Sequence, residues 1–284
     1  MRMLVLSILL LATSSLPAQA SVIAVFDNRT YVDTSGGPPV PSSDALQALL
    51  TSQGNTVHPF TGLTAADFTT ALSGANLIVF PNLLNFGALA SDLSASAKAT
   101  LAGYVSNGGG LISVGDSAAR LLNAIFYPTC DFVTVFCLAT SGSAGPSFLD
   151  SAVAAGTPFA MAPVELTTPP QAGNGLNPFA FTPPGGANLY RDHVAGSPNS
   201  ATVLTAPFGS GHYGFLAWNF ADAAPLGGLN GGWNDVLNLT VSAVASAPVT
   251  AVPEPASSSL LALGLLALGG TAVLRRGSNG SIPS

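Results

Sequence analysis

Four short apolar runs, spaced so that an amphipathic helix fits between each pair, restrict this chain more than any other feature. They are Ser21–Phe26 (SVIAVF), Thr56–Phe60 (TVHPF), Leu77–Phe80 (LIVF) and Leu111–Val114 (LISV). Each is rich in β-branched or aromatic residues and is bounded by Asn, Asp, Gly or Pro, the pattern of a short buried strand. After the first, Ser42 or Ser43 caps a helix whose Leu46, Leu49 and Leu50 share a face, with Gly54 as its stop. Thr64 with Asp67 forms a capping box ahead of Phe68 and Leu72, and Gly74 ends that helix. Ser94 opens a third, striped by Ala97, Leu101, Tyr104 and Val105. Gly115-Asp116-Ser117 turns into a fourth, carrying Ala118, Leu121, Leu122 and Ile125.

Strands alternating with helices through short connections pair in parallel, with right-handed crossovers and helices on both faces. The predicted fold is therefore α/β, a flavodoxin-like, doubly wound and mostly parallel sheet. From about 127 to 200, Pro, Gly, Ser and Thr interrupt short apolar pieces, which predicts a loop-rich insertion with some antiparallel strand. Thr202–Ala206 and Gly211–Asn219 predict a late β-hairpin. A closing helix over 231–244 places Trp233, Val236, Leu237, Val241 and Val244 on one stripe. Tyr213, Trp218 and Trp233 are expected to pack the hairpin on that helix; stacking on sugar rings is the alternative.

Both ends of the chain read as addresses and not as parts of this fold. Arg2, the apolar stretch Leu4–Ala12 and the cleavage site Ala18-Gln19-Ala20 make residues 1–20 a secretory signal peptide handled by the Sec machinery. The α/β body then covers 21–245, followed by a linker at 246–251. At the other end, Val252-Pro253-Glu254-Pro255 breaks any helix, because each ring removes a backbone N–H and biases its predecessor toward extended geometry. Residues 257–274 carry no charge, and at about 1.5 Å per residue they span roughly 27 Å, a short transmembrane helix. Arg275 and Arg276 follow, which sets 278–284 as a cytoplasmic tail and the body on the outer side, in the periplasm.

Charge and cysteine content bound the body further. Charged residues are 7% of the chain, against about 25% in ordinary domains. The body's cations are Arg29, Lys98, Arg120 and Arg191, and the pI is about 4.6, which excludes the basic footprint of a nucleic-acid binder. Cys130 and Cys137 are the only cysteines, and in an oxidising compartment such a close pair reads as a disulfide. Ligands at zinc spacing are absent from the sequence, and no cofactor is expected.

The tail, from Val252 to Gly277, resembles the PEP-CTERM sorting signal of bacteria that make exopolysaccharide. The resemblance implies an exosortase as partner, with Pro253, Glu254 and Pro255 as recognition residues. The body would pass from an inner-membrane intermediate to the cell surface or the extracellular space. The body itself resembles class I glutamine amidotransferase-like and ThuA-like proteins. The likeness rests on the strand order, the phrase from Tyr104 to Gly115 (YVSNGGGLISVG), and Gly209-Ser210-Gly211 before Leu216-Ala217-Trp218. In that family a Cys sits on the turn after the fourth strand; here the turn holds Gly115, Asp116 and Ser117, which removes the thiolate nucleophile.

Two constellations remain as candidate sites. Ser117 with His193 or His212, and an acid such as Asp192 or Asp222, would make a nucleophilic triad; the turn lacks the G-x-S-x-G frame, and a helix N-terminus explains the same letters. Asp27, Asn28, Asn82 and Asp116 fall at the carboxyl ends of strands, where doubly wound sheets bind ligands, and suit a hard cation or helix caps. The expected function is an exported surface or matrix protein with a non-catalytic domain that binds extracellular polysaccharide. The alternatives are a hydrolase on the amidotransferase-like scaffold and a small-ligand or metal-binding module.

Overall fold

The computed structural model describes residues 20–32, 34, 40–84, 88–115, 117–128, 138, 140–141, 146–167, 175–176, 183–192 and 200–245. Residues 1–19 of the signal peptide, the Cys130–Cys137 pair, the linker, the sorting signal, the 257–274 span and the 278–284 tail lie outside the described residues. Among the described residues no helix is long and apolar enough to cross a membrane.

The first half alternates as the periodicity requires. In order it runs β1 (Val22–Phe26), α1 (Ser42–Ser52), β2 (Thr56–Phe60), α2 (Ala65–Leu72), β3 (Leu77–Phe80), α3 (Ala88–Asp92), α4 (Ala95–Ser106), β4 (Gly110–Val114) and α5 (Ala118–Phe126). The insertion holds β5 (Thr140–Ser141), β6 (Ser147–Leu149), α6 (Ser151–Ala154), a 3₁₀ turn (Pro158–Met161), β7 (Glu165–Leu166), β8 (Gly175–Leu176) and β9 (Ala187–Asp192). The hairpin is β10 (Ala201–Phe208) with β11 (Gly211–Leu216), and α7 (Trp233–Val244) closes the domain.

One sheet runs β2-β1-β3-β4-β11-β10-β9-β6-β7. The first five strands are parallel, and everything beyond β11 is antiparallel. The order β2-β1-β3-β4 is that of a flavodoxin-like sheet, with its switch point between β1 and β3. β11 reaches its parallel place beside β4 by way of the long insertion, so the hairpin inserts one strand into the parallel half and starts the antiparallel extension with the other.

Register aligns the last residues of the parallel strands into one row. Phe26 lies opposite Phe60, and Ser113 lies between Phe80 and Phe215. Phe26 and Phe80 have ring centroids 5.5 Å apart, and Phe68 of α2 covers the row at 5.6 Å from Phe60 and 6.4 Å from Phe80. On the same face α5 stacks Phe126 on Tyr213 at 4.7 Å. The opposite face belongs to α7: a Cβ on Gly214 would come within 2.9 Å of Thr240 Cγ2 and 3.2 Å of Val244 Cγ2. Trp218 and Trp233 pack together at 6.1 Å as expected, whereas Tyr213, one step along β11 from Gly214, faces α5 instead of α7. All three are buried, which leaves no aromatic face of theirs for a sugar.

Helix starts divide into two kinds. The Thr64–Asp67 capping box forms, with Asp67 N–H to Thr64 Oγ1 at 3.2 Å and Thr64 N–H to Asp67 Oδ2 at 2.9 Å. α1 departs from expectation, because its N-cap is Pro41 and no side chain caps it. Ser42 and Ser43 sit one and two positions inside, where their hydroxyls bond Asn219 O and the Asp27 carboxylate. Long-range partners have taken the hydroxyls that a local cap would use.

Within the Phe row the Ser113 hydroxyl is buried without a partner. An unsatisfied buried donor opposes folding, so Ser113→Ala is expected to stabilise the domain by about 1 kcal/mol. Urea unfolding should show a raised midpoint at unchanged slope; a lowered midpoint would mean that the hydroxyl has a bond.

Candidate functional site

The carboxyl edge of the parallel strands is where this topology gathers ligands, and the structure brings Asp27, Asn28, Asn82 and Ser117 to that edge. Each is committed to its own neighbour. Asp27 accepts a hydrogen bond from Ser43 Oγ at 2.7 Å, on the α1 side. Asn28 donates from Nδ2 to Thr61 O at 2.7 Å and accepts from Thr30 N–H at 3.0 Å, closing the turn after β1 toward β2. Asn82 lies against Gly115 on the β4 side, where an added Cβ would stand 2.0 Å from its Oδ1. The three diverge in place of converging. No group of three or more His, Cys, Asp or Glu able to hold a metal occurs among the described residues, and Asp116 lies outside them.

The crevice between β1 and β3 is bridged across its mouth. Val32 pairs with Leu83 in an antiparallel bridge, and Leu84 N–H donates to Tyr31 O at 2.8 Å. Tyr31 in turn donates to Asp92 Oδ2 at 2.8 Å, tying the loop to α3. That bond holds the Tyr31 phenol above its ordinary pKa, with burial and the Asp92 charge adding to the effect. Beneath the bridge Phe26 touches Tyr31 (6.2 Å) and Phe60 (5.6 Å), so aromatic rings fill the floor.

Ser117 is buried at the N-cap of α5, and its hydroxyl donates to Leu83 O at 3.3 Å, with no capping bond to the helix. His212 is opposite Gly110, the first residue of β4, while Leu216 is opposite Val114. About 13 Å of strand therefore separates His212 from the Ser117 edge, at roughly 3.3 Å per residue. His212 is exposed at the amino edge, so the structure does not bring the two together; His193 lies outside the described residues.

Each of the two acids weighed with Ser117 accepts a backbone N–H of its own, Asp192 from Ser200 and Asp222 from Val40. Asp222 accepts Val40 N–H at 2.5 Å in the loop after β11, and Asp192 is buried in β9 within the antiparallel extension. What actually adjoins the Ser117 turn is the end of β11: Gly115 N–H donates to Leu216 O at 2.9 Å. The loop that follows holds two non-glycine residues in the left-handed region, Phe220 (φ 62°) and Asp222 (φ 56°). For a buried Phe this is a true outlier, held by Trp218 at 4.4 Å. Sequence reasoning passed over this loop, because a left-handed Phe leaves no compositional mark.

No family model matches the chain, and no curated protein matches it. Among solved structures it is similar to a cytoplasmic protein from Salmonella typhimurium, at 11% identity over 80% of this chain and 100% of that one, with a TM-score of 0.50. It is also similar to a ThuA-like protein from Bacteroides uniformis, at 14% identity, 81% and 93% coverage and a TM-score of 0.49. A second ThuA-like protein, from Parabacteroides merdae, gives 12%, 70%, 79% and 0.43 in the same order. At 11% identity the first of these likenesses speaks only to fold, and with the strand order above that fold is a flavodoxin-like mixed α/β sheet.

Proposed function

We propose that this is an exported surface or matrix protein, addressed by Pro253-Glu254-Pro255 and its apolar tail to an exosortase. Its α/β domain binds or organises extracellular polysaccharide without catalysing a reaction on it. One observation carries the non-catalytic half. The edge that would host chemistry is closed by the Val32–Leu83 bridge over packed Phe rings, with the Ser117 hydroxyl buried on Leu83 O. The export half rests on the sequence of the two ends.

Intact mass of the protein recovered from exosortase-bearing cells tests the address. A chain beginning at Ser21 and ending near Glu254 is expected. Replacing Pro253, Glu254 and Pro255 by alanine should retain the chain through Ser284. Recovery of the unaltered protein with residues 1–20 and its tail intact would overturn the reading. Retention of the cells' labelled polysaccharide by the purified protein, undiminished in Ser117→Ala, is the matching result for the domain.

A further inference from the structure

β2 ends the sheet on its parallel side, and Thr56, His58 and Pro59 in it are exposed. The strand carries no Lys, Arg, Asp or Glu, while its Thr, Val and Phe are good strand formers. An edge of this kind is a template for another strand, and proteins protect such edges with charge, shortness, proline or a cover. The far end of the sheet uses three of these. β7 has two residues, one of them the exposed Glu165, and Thr167 N–H beside it donates to Gly231 O at 3.1 Å. β2 is longer and has no charge to do this.

Which backbone groups of β2 face outward follows from two hydrogen bonds. Thr56 N–H donates to Ser21 O at 2.9 Å, and Asp27 N–H donates to Phe60 O at 2.8 Å. Within a strand the N–H and C=O of one residue point to one side and those of the next residue to the other. Thr56, His58 and Phe60 therefore face β1, whereas Val57 and Pro59 face away from the sheet. The outer edge thus offers two carbonyls and a single N–H, that of Val57, because proline has none. The Pro59 ring also stands where the carbonyl of an added strand would approach. At position 58 the same ring would break the ladder to β1; at 59 it removes only an outward donor.

We propose that Pro59 closes the β2 edge to a second copy of this chain, and so keeps neighbouring domains from joining sheet to sheet. Two β2 strands meeting antiparallel about a two-fold axis at His58 set Val57 of each opposite Pro59 of the other. Four backbone hydrogen bonds would link such a pair, and the two prolines remove two of them. The inference rests on the sheet alone and does not depend on the proposed function.

Sedimentation velocity over a concentration series tests it, on the full chain and on Pro59→Val in one mild detergent, with the far-ultraviolet spectrum as the check on folding. Restoring two backbone bonds, at roughly fivefold each, should strengthen self-association about 25-fold over the parent and reversibly on dilution. Adding Val57→Pro to Pro59→Val takes the outward donors at position 57 away again and should return the chain to the parent's behaviour. Where that double variant fails to fold, amide exchange serves instead: in associated Pro59→Val the amides at positions 57 and 59 should gain protection, while those of β4 stay as they were. Equal association of Pro59→Val and parent at every concentration overturns the assignment. So does association that persists in the folded double variant, or that leaves the amides at 57 and 59 unprotected.

Discussion

Replacing Phe26 by alanine is expected to remove a large share of the domain's stability. Phe26 is fully buried and touches Phe60, Phe80 and Tyr31, with centroids 5.6, 5.5 and 6.2 Å away. Truncating such a ring costs roughly 3–5 kcal/mol, combining lost transfer energy with a cavity that the surroundings cannot close. Relaxation is restricted here because the row is held from three sides: the strand ladder, Phe68 of α2, and the loop bridge Val32–Leu83 above it. Against a typical total of about 5–15 kcal/mol, the variant would be marginal at room temperature. Urea unfolding of Phe26→Ala beside Phe26→Leu makes the measurement. Leucine refills part of the volume and should recover more than half of the loss. A loss below about 1 kcal/mol for the alanine variant would show that the Phe row is not the keystone of this edge.

How far the fold was readable follows from which interactions are local. β1 to β4 and the helices between them were legible because period, caps and stops lie within each segment; Thr64 with Asp67 reads in the sequence as it bonds in the structure. α3 was missed, since ALASD is too short to show a helical period. The caps offered by Ser42 and Ser43 were misread because their partners, Asn219 and Asp27, lie far away along the chain or across the sheet.

Partnership between distant strands was the larger gap. A hairpin was legible at 202–219, but nothing local says that β11 pairs in parallel with β4, and that pairing alone sends His212 to the amino edge. The candidate site shared this fate. Its members could be assigned to strand ends from spacing, while the directions of Asp27, Asn28 and Asn82 depend on which loop each meets. Asp192 shows the same limit from the other side. It could be noticed as an acid, but its burial and its unfilled oxygen arise only when β6, β9 and the β10 bulge assemble.

Gly115→Ala is expected to be the second most damaging single change, and it probes the turn on which any chemistry in this fold would sit. Gly115 has φ 79°, a left-handed conformation that a Cβ disfavours. It also faces Asn82, whose Oδ1, Cγ and Cβ would lie 2.0, 2.7 and 2.9 Å from the new carbon. Roughly 1–2 kcal/mol for the left-handed backbone and about 1–3 for overpacking combine to roughly 2–5 kcal/mol. The two terms separate in a double-mutant cycle. Asn82→Gly removes the clashing side chain and leaves φ untouched, so Gly115→Ala should cost less in that background, by about the overpacking part. An equal cost in both backgrounds would assign the whole effect to backbone conformation. Because Gly115 N–H is also tied to Leu216 O at 2.9 Å, a turn displaced by the clash must pull on the end of β11. The loss should therefore extend to hydrogen-exchange protection of the β4–β11 pairing, where a purely local strain would leave the far strand unchanged.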